Sequence, residues 1–181
     1  MIFEAKNITV KNGKTVLFRS PTAEDAQDMI DYLEVTAGET DFLNCYPGER
    51  QITPEREAAY LENINRSPND VMIVCTCDGK IAGNCQIVWS TREKMSHRGT
   101  VMIALLQPYW SMGIGTAMFQ EMIRIGRENH LMQLELDFVE GNTRAQALYE
   151  KMGFKIVAER PNAIRLRDGR LLKEYSMILP L

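Results

Sequence analysis

Trp110-Ser111-Met112-Gly113-Ile114-Gly115-Thr116 is the stretch of sequence that decides the fold. It lies between an apolar run, Val101 to Leu106, and an amphipathic pattern that starts near Gly113 and continues to about Asn129. This order predicts a strand, a glycine-containing turn and the N-terminus of a helix. The first turn of a helix has backbone N–H groups without intrahelical partners, and glycine removes the side chains that would shield them. The stretch therefore predicts an anion site of the kind that cradles a phosphate.

The composition is that of a single globular domain spanning residues 1–181. Hydrophobic residues make up 45% of the chain and charged residues 25%, close to the globular average. The net charge of −3 disfavours a general nucleic-acid binder, which usually has a basic face. The sequence has no apolar run of membrane-spanning length and no basic segment followed by an apolar leader. We therefore expect a soluble cytoplasmic protein that binds neither nucleic acid nor membrane.

The cysteines and histidines do not form a metal-binding pattern. Cys75 and Cys77 lie in one apolar run, and the only histidines, His97 and His130, are far apart in the sequence. Structural zinc sites need closely spaced Cys and His ligands, which this chain lacks. We expect reduced, buried thiols and no metal site.

Hydrophobic periodicity predicts a mixed α+β fold, with one largely antiparallel sheet and helices on both faces. The helices are predicted to begin near Thr22, Pro54 and Gly113, with a short fourth helix over 144–152. The long connection from Thr36 to Thr53 is predicted to be irregular. The expected strands are 8–10, 16–19, 71–77, 81–89, 97–106, 134–138, 154–158, 164–166 and 171–179. The segment from 97 to 138 is a βαβ unit, which predicts a parallel strand pair.

A second motif follows the 134–138 strand and narrows the interpretation of the glycine turn. On its own, Gly113-x-Gly115 is a weak signal, because it lacks both the third glycine of a dinucleotide fingerprint and the Lys of a P-loop. Asn142 is placed as an N-cap, and Tyr149 follows two helical turns later on the same side. The motif runs Asn142-x-x-Ala145-x-x-Leu148-Tyr149-x-x-x-Gly153-Phe154.

Together, the two motifs resemble the GNAT superfamily of N-acetyltransferases over about His97 to Phe154. The resemblance implies acetyl-CoA as the donor and a primary amine of a small molecule or peptide as the acceptor, with direct attack in a ternary complex. The family has Gln or Arg three residues before the first glycine, where this chain has Trp110. The cofactor-binding residues that the resemblance implies are Ile103, Ala104 and Leu105 by their backbone, Ser111, Met112, Gly113, Ile114, Gly115 and Thr116 in the pyrophosphate loop, and Asn142 and Ala145.

Tyr149 matches the family position of the general acid that protonates the leaving thiolate, although packing in the core is an alternative role for its ring. A backbone N–H near Leu105 is expected to hold the acetyl carbonyl oxygen. The general base is not assigned by the sequence. Candidate acceptor-binding residues are Glu39, Asp41 and Phe42 in the long connection, and His97 at the start of a strand.

Three other functions are compatible with these patterns. The chain is alternatively an acetyltransferase of protein N-termini or lysines, a non-catalytic acyl-CoA sensor, or a mononucleotide binder. The final strands are expected to be exposed, which would allow two copies to pair there as a homodimer.

Overall fold

The computed structural model describes residues 1–181, which form eight strands and four α-helices. The helices are α1 (Ala26–Glu39), α2 (Pro54–Arg66), α3 (Ile114–Glu128) and α4 (Thr143–Lys151). The strands are β1 (Lys6–Thr9), β2 (Thr15–Arg19), β3 (Asp70–Cys77), β4 (Lys80–Trp89), β5 (Arg98–Leu105), β6 (Gln133–Val139), β7 (Lys155–Arg165) and β8 (Leu171–Pro180).

All eight strands form one sheet in the order β1-β2-β3-β4-β5-β6-β8-β7. Every neighbouring pair is antiparallel except β5 and β6, which are parallel because α3 connects them as a crossover. The mixed, largely antiparallel α+β architecture predicted from the sequence is therefore confirmed. None of the helices is both long and apolar enough to span a bilayer.

The sheet has helices on both faces, and each face has its own core. The larger core lies under α3 and α4 and includes Phe119, Leu134 and Phe138. The smaller core lies under α1 and α2 and includes Tyr32 and Leu61. We call the second of these the α1/α2 face of the sheet.

Two element boundaries differ from those that the sequence predicts. Helix α1 continues to Glu39, because Thr36 is buried and its hydroxyl donates to the Tyr32 carbonyl within the helix. The predicted break between 154–158 and 164–166 is absent, since β7 is continuous over that range. Two register shifts against β8 interrupt the pairing, and the second, between Arg160 and Ile164, absorbs the irregular segment around Asn162, whose φ is 56°.

Candidate active site

The centre of the site is a gap between the two parallel strands. The β5–β6 pairing covers only Arg98–Thr100 against Gln133–Glu135. Both strands continue, β5 to Leu105 and β6 to Val139, without pairing to each other. An unpaired strand edge inside a sheet exposes backbone donors and acceptors to whatever enters.

The register of β4 and β5 determines which backbone groups face this gap. Leu106 N–H donates to the Ala82 carbonyl at 3.0 Å, and directly opposed residues alternate between bonded and non-bonded pairs. Ile103 and Leu105 therefore direct their N–H and C=O groups away from β4 and towards the gap. Ala104 faces β4 instead, and its carbonyl also accepts the Tyr32 hydroxyl at 2.9 Å. The prediction that Ala104 offers its backbone to a ligand in the gap is therefore wrong.

The glycine turn closes the end of the gap next to Leu105. Ser111 and Gly113 both have left-handed backbones, with φ of 62° and 91°, and Gly113 is the N-cap of α3. The helix begins at Ile114, so the N–H groups of its first turn have no intrahelical acceptor. These groups, together with the helix dipole, favour an anion at this position.

Three basic residues that are not among the predicted site residues surround this turn. Arg144 donates to Ser111 Oγ at 2.8 Å, and Lys151 Nζ lies 3.3 Å from Thr116 Oγ1. Lys11 donates its backbone N–H to the Met112 carbonyl at 3.0 Å. Lys11 comes from the distant β1–β2 hairpin, so no local sequence pattern could have revealed it. The three positive charges strengthen the preference of the turn for an anion.

Helix α4 carries the predicted acid into the other side of the site. Asn142 is the N-cap, and its Oδ1 accepts from Ala145 N–H at 3.2 Å. Seven residues later, the Tyr149 ring packs edge-on against Phe119 and Phe138, with centroids 5.5 and 5.9 Å away. This packing fixes the direction of the phenol.

The Tyr149 hydroxyl is neutral and has no hydrogen-bond partner in the protein. Burial raises the pKa of Tyr149 to about 12, so the group keeps its proton across the neutral range. Among the side-chain nitrogen and oxygen atoms that solvent does not reach, only Asn65 Oδ1 lacks a hydrogen-bond partner. The Tyr149 oxygen, which also lacks a partner, is therefore in contact with solvent. Both predicted roles of Tyr149, packing and presenting a proton, are compatible with this environment.

The structure separates two of the predicted acceptor-binding residues, Glu39 and His97. The Glu39 carboxylate accepts the Gln107 backbone N–H at 2.8 Å through one oxygen, and Glu39 lines a cavity at the end of α1. His97 is exposed at the start of β5, where its carbonyl accepts Met132 N–H. At roughly 3.3 Å per residue, the length of β5 separates His97 from Leu105 by about 26 Å.

Asp41 and Phe42 do line a cavity, together with Trp110. This cavity of about 540 Å³ lies between the end of α1 and the glycine turn. Asp41 is not a free charge, however, because Arg170 of the β7–β8 hairpin lies 4.0 Å from it. Glu49 pairs in the same way with Arg167, at 3.5 Å. The connection between α1 and α2 is thus tied to the hairpin by opposite charges.

A carboxylate that is not among the predicted site residues lies beside the gap. Asp137 of β6 is exposed on the α1/α2 face, and Ser176 Oγ donates to it at 2.6 Å. Thr100 and Glu135 pair across β5 and β6, so the next residues on the same face are Met102 and Asp137. Tyr149 packs on the opposite face of the sheet, so the gap has a carboxylate on one side and a phenol on the other. Only the strand register reveals this relationship.

A parallel strand pair that opens into a gap, ends in a glycine turn and is flanked by a protonated tyrosine defines an acyltransferase fold. A family model described as "Acetyltransferase (GNAT) family" matches residues 36–154. The chain belongs to this family. No curated protein is significantly similar to the chain in sequence.

Solved structures of the family share the fold over nearly the whole chain. A GNAT-family acetyltransferase from Streptococcus pneumoniae is 26% identical, with a TM-score of 0.86, covering 92% of this chain and 99% of that one. The ribosomal-protein-alanine N-acetyltransferase of Brucella melitensis is 21% identical, with a TM-score of 0.78, covering 91% and 99%. The putative acetyltransferase yncA of Salmonella typhimurium, solved with acetyl-CoA, is 16% identical, with a TM-score of 0.78, covering 92% and 94%. The last two show a common fold alone.

Proposed function

We propose that the protein transfers the acetyl group of acetyl-CoA to a primary amine of a small molecule or peptide, by direct attack in a ternary complex. The observation that carries this proposal is the placement of Tyr149 and Asp137 on opposite faces of the gap between β5 and β6. A donor in the gap would thus meet an acid on one side and an acceptor amine on the other.

The residues around the gap fit the parts of acetyl-CoA. The amide groups of the pantetheine arm match the free backbone groups of Ile103, in the manner of a strand added to a sheet edge. Leu105 offers its backbone N–H to the donor, while its carbonyl accepts the Trp110 indole. The pyrophosphate matches the N–H groups of residues 111–116, with Arg144 and Lys151 close by. Asn142 and Ala145 form the first turn of α4 beside this path. The cofactor supplies an activated acetyl thioester.

The protein's own groups manage two protons. Asp137 takes one proton from the acceptor ammonium, which leaves a neutral nitrogen able to form the new C–N bond. Formation of the C–N bond leaves a second surplus proton on the nitrogen, and this proton passes to water as the tetrahedral intermediate collapses. Tyr149 gives its phenolic proton to the sulfur as the C–S bond breaks, and a proton from water then restores the phenol. The N–H of Leu105 donates to the acetyl carbonyl oxygen, where negative charge develops.

A panel of primary amines with acetyl-CoA tests this function, with release of free thiol as the readout. We expect thiol release that depends on both acetyl-CoA and an amine, together with an acetylated product seen by mass spectrometry. A thermal-shift comparison of acetyl-CoA with ATP separates an acyl-CoA enzyme from a mononucleotide binder. Stabilisation by acetyl-CoA without turnover of any amine would instead indicate a non-catalytic sensor.

A further inference from the structure

Helix α2 carries a buried carboxylate for which the proposed mechanism has no use. Glu57 is only 4% exposed, and its side chain makes no hydrogen bond within the protein. Its oxygens nevertheless keep some contact with solvent, because Asn65 Oδ1 is the only side-chain polar atom that is both out of solvent contact and without a partner. A charged group at this burial is costly unless something pairs with it. Glu57 is therefore a nearly buried carboxylate without a partner in the protein, and a bound cation would neutralise it.

Glu57 occupies a position where an apolar residue would be expected. It lies on the buried stripe of α2, one helical turn before Leu61 and two turns before Ile64. Both of these residues pack in the core of the α1/α2 face. Glu57 is therefore directed towards the sheet rather than towards solvent.

One charged residue acts on Glu57, and it does not neutralise the carboxylate by contact. Burial raises the pKa of Glu57, and the positive charge of Arg50 opposes that rise. Arg50 is turned towards Cys45, with Nε 3.0 Å from the sulfur. Tyr60, one helical turn after Glu57, has its pKa raised by burial and by the negative charges of Asp70 and Glu57. The Asp70 carboxylate accepts from Gln86 Nε2 at 2.7 Å.

One row of side chains connects this region to the gap. Gln86 of β4 pairs with Met102 of β5, and Met102 is followed on the same face by Asp137 of β6. Tyr60 of α2 lies over Gln86, and Met102 is 48% exposed between the two regions. With strands roughly 4.8 Å apart, Gln86 and Asp137 are about 10 Å apart, and the gap adds to this.

We propose that the acceptor is a diamine or polyamine, whose reacting nitrogen meets Asp137 while its second ammonium group binds Glu57 across the exposed Met102 side chain. This inference rests on the proposed function and names the substrate class for the same site. An aliphatic spacer suits Met102, and two carboxylates on one face suit two positive charges. The acidic residues of the connection between α1 and α2 do not compete, because Asp41 and Glu49 are paired with arginines.

The test compares α,ω-diamines, from diaminobutane to diaminooctane, with n-alkyl monoamines of matched length. We expect kcat/KM for the best diamine to exceed that of its matched monoamine by about 10- to 100-fold, as for a hydrogen-bonded charge pair. Glu57→Gln should abolish this preference and weaken diamine binding to the CoA-loaded enzyme in calorimetry. Glu55→Gln, an exposed change on the same helix, should retain the preference.

Two results would overturn the inference without touching the proposed function. One is a wild-type enzyme that acetylates monoamines and diamines equally well. The other is a folded Glu57→Gln enzyme, checked by thermal melting, that keeps the diamine preference. Failure to acetylate any amine, with acetyl-CoA still bound, would instead refute the proposed function itself.

Discussion

The indole Nε1 of Trp110 donates a 2.8 Å hydrogen bond to the carbonyl oxygen of Leu105. That carbonyl faces the gap between β5 and β6, so an internal donor already engages it. The Arg144 guanidinium stacks on the same indole, 4.7 Å from the ring centre. Trp110 thus bridges the end of β5 and the start of α4, at the point where this chain departs from the Gln or Arg of the family pattern.

Removing the hydrogen bond from the Trp110 indole should strengthen the binding of acetyl-CoA. Trp110→Phe keeps a ring for Arg144 to stack on but frees the Leu105 carbonyl for a pantetheine amide. A net hydrogen bond is worth about 1 kcal/mol, so we expect the Kd for acetyl-CoA to fall by about fivefold. Isothermal titration calorimetry measures this, and Trp89→Phe is the control that should leave the Kd unchanged. An equal or weaker affinity in Trp110→Phe would contradict the competing role of the indole.

Gly83 should be required for the geometry of Leu105. A Cβ on Gly83 would lie 2.6 Å from the Ala104 carbonyl oxygen and 2.2 Å from Leu105 Cδ2. Gly83→Ala therefore pushes β5 away from β4 beside the gap, at a cost of about 1–3 kcal/mol in unfolding free energy and with weaker acetyl-CoA binding. Gly99→Ala meets only side-chain ends, 2.8 Å from Leu131, at the far end of β5. It should lower stability, seen in urea unfolding, while the Kd stays as in the wild type.

The elements proposed to hold the acetyl donor can be predicted from the sequence because each of them is local. The glycine turn, the N-cap Asn142 and the position of Tyr149 each depend on residues within one or two elements. The strand order and the parallel β5–β6 pair follow from the crossover formed by α3. These features need no knowledge of which distant residues meet.

The acceptor half is set by long-range contacts that no local pattern contains. Glu39 lies at the cavity beside Gln107, and His97 lies at the far end of β5, because helix length and strand direction decide where each residue is placed. Asp137 gains its place from the register of β6, and Glu57 from the orientation of α2. A charge pattern in sequence does not show which carboxylates a distant arginine will pair with.

Strongly alkaline conditions should expose the burial of Tyr149 as a stability effect. Its pKa is about 12 in the folded protein but about 10 when unfolded, so the unfolded chain loses this proton first. The contribution is complete below about pH 10 and is lost as pH rises towards 12. Between these values, the unfolding free energy of the wild type falls as pH rises. In Tyr149→Phe this fall should be shallower by about 1.4 kcal/mol per pH unit. Identical slopes in urea titrations would show that the phenol is solvated.

Loss of the Asp137 carboxylate should lower kcat/KM most at pH values where the acceptor amine is protonated. We expect Asp137→Asn to lower kcat/KM at neutral pH by on the order of 100-fold. The deficit should shrink as pH approaches the pKa of the amine, because the neutral nucleophile then forms without a base. Ser176→Ala, which removes only the 2.6 Å hydrogen bond to Asp137, should give a smaller loss. A deficit that is the same at every pH would exclude proton removal as the role of Asp137.

The most direct test of the account is turnover by Tyr149→Phe beside its affinity for acetyl-CoA. The substitution removes one hydroxyl and keeps the ring that packs on Phe119 and Phe138. With saturating acetyl-CoA and an accepted amine, we predict that thiol release falls by about 10²- to 10³-fold while the calorimetric Kd for acetyl-CoA is unchanged. Turnover equal to that of the wild type would contradict the assignment of Tyr149 as the acid.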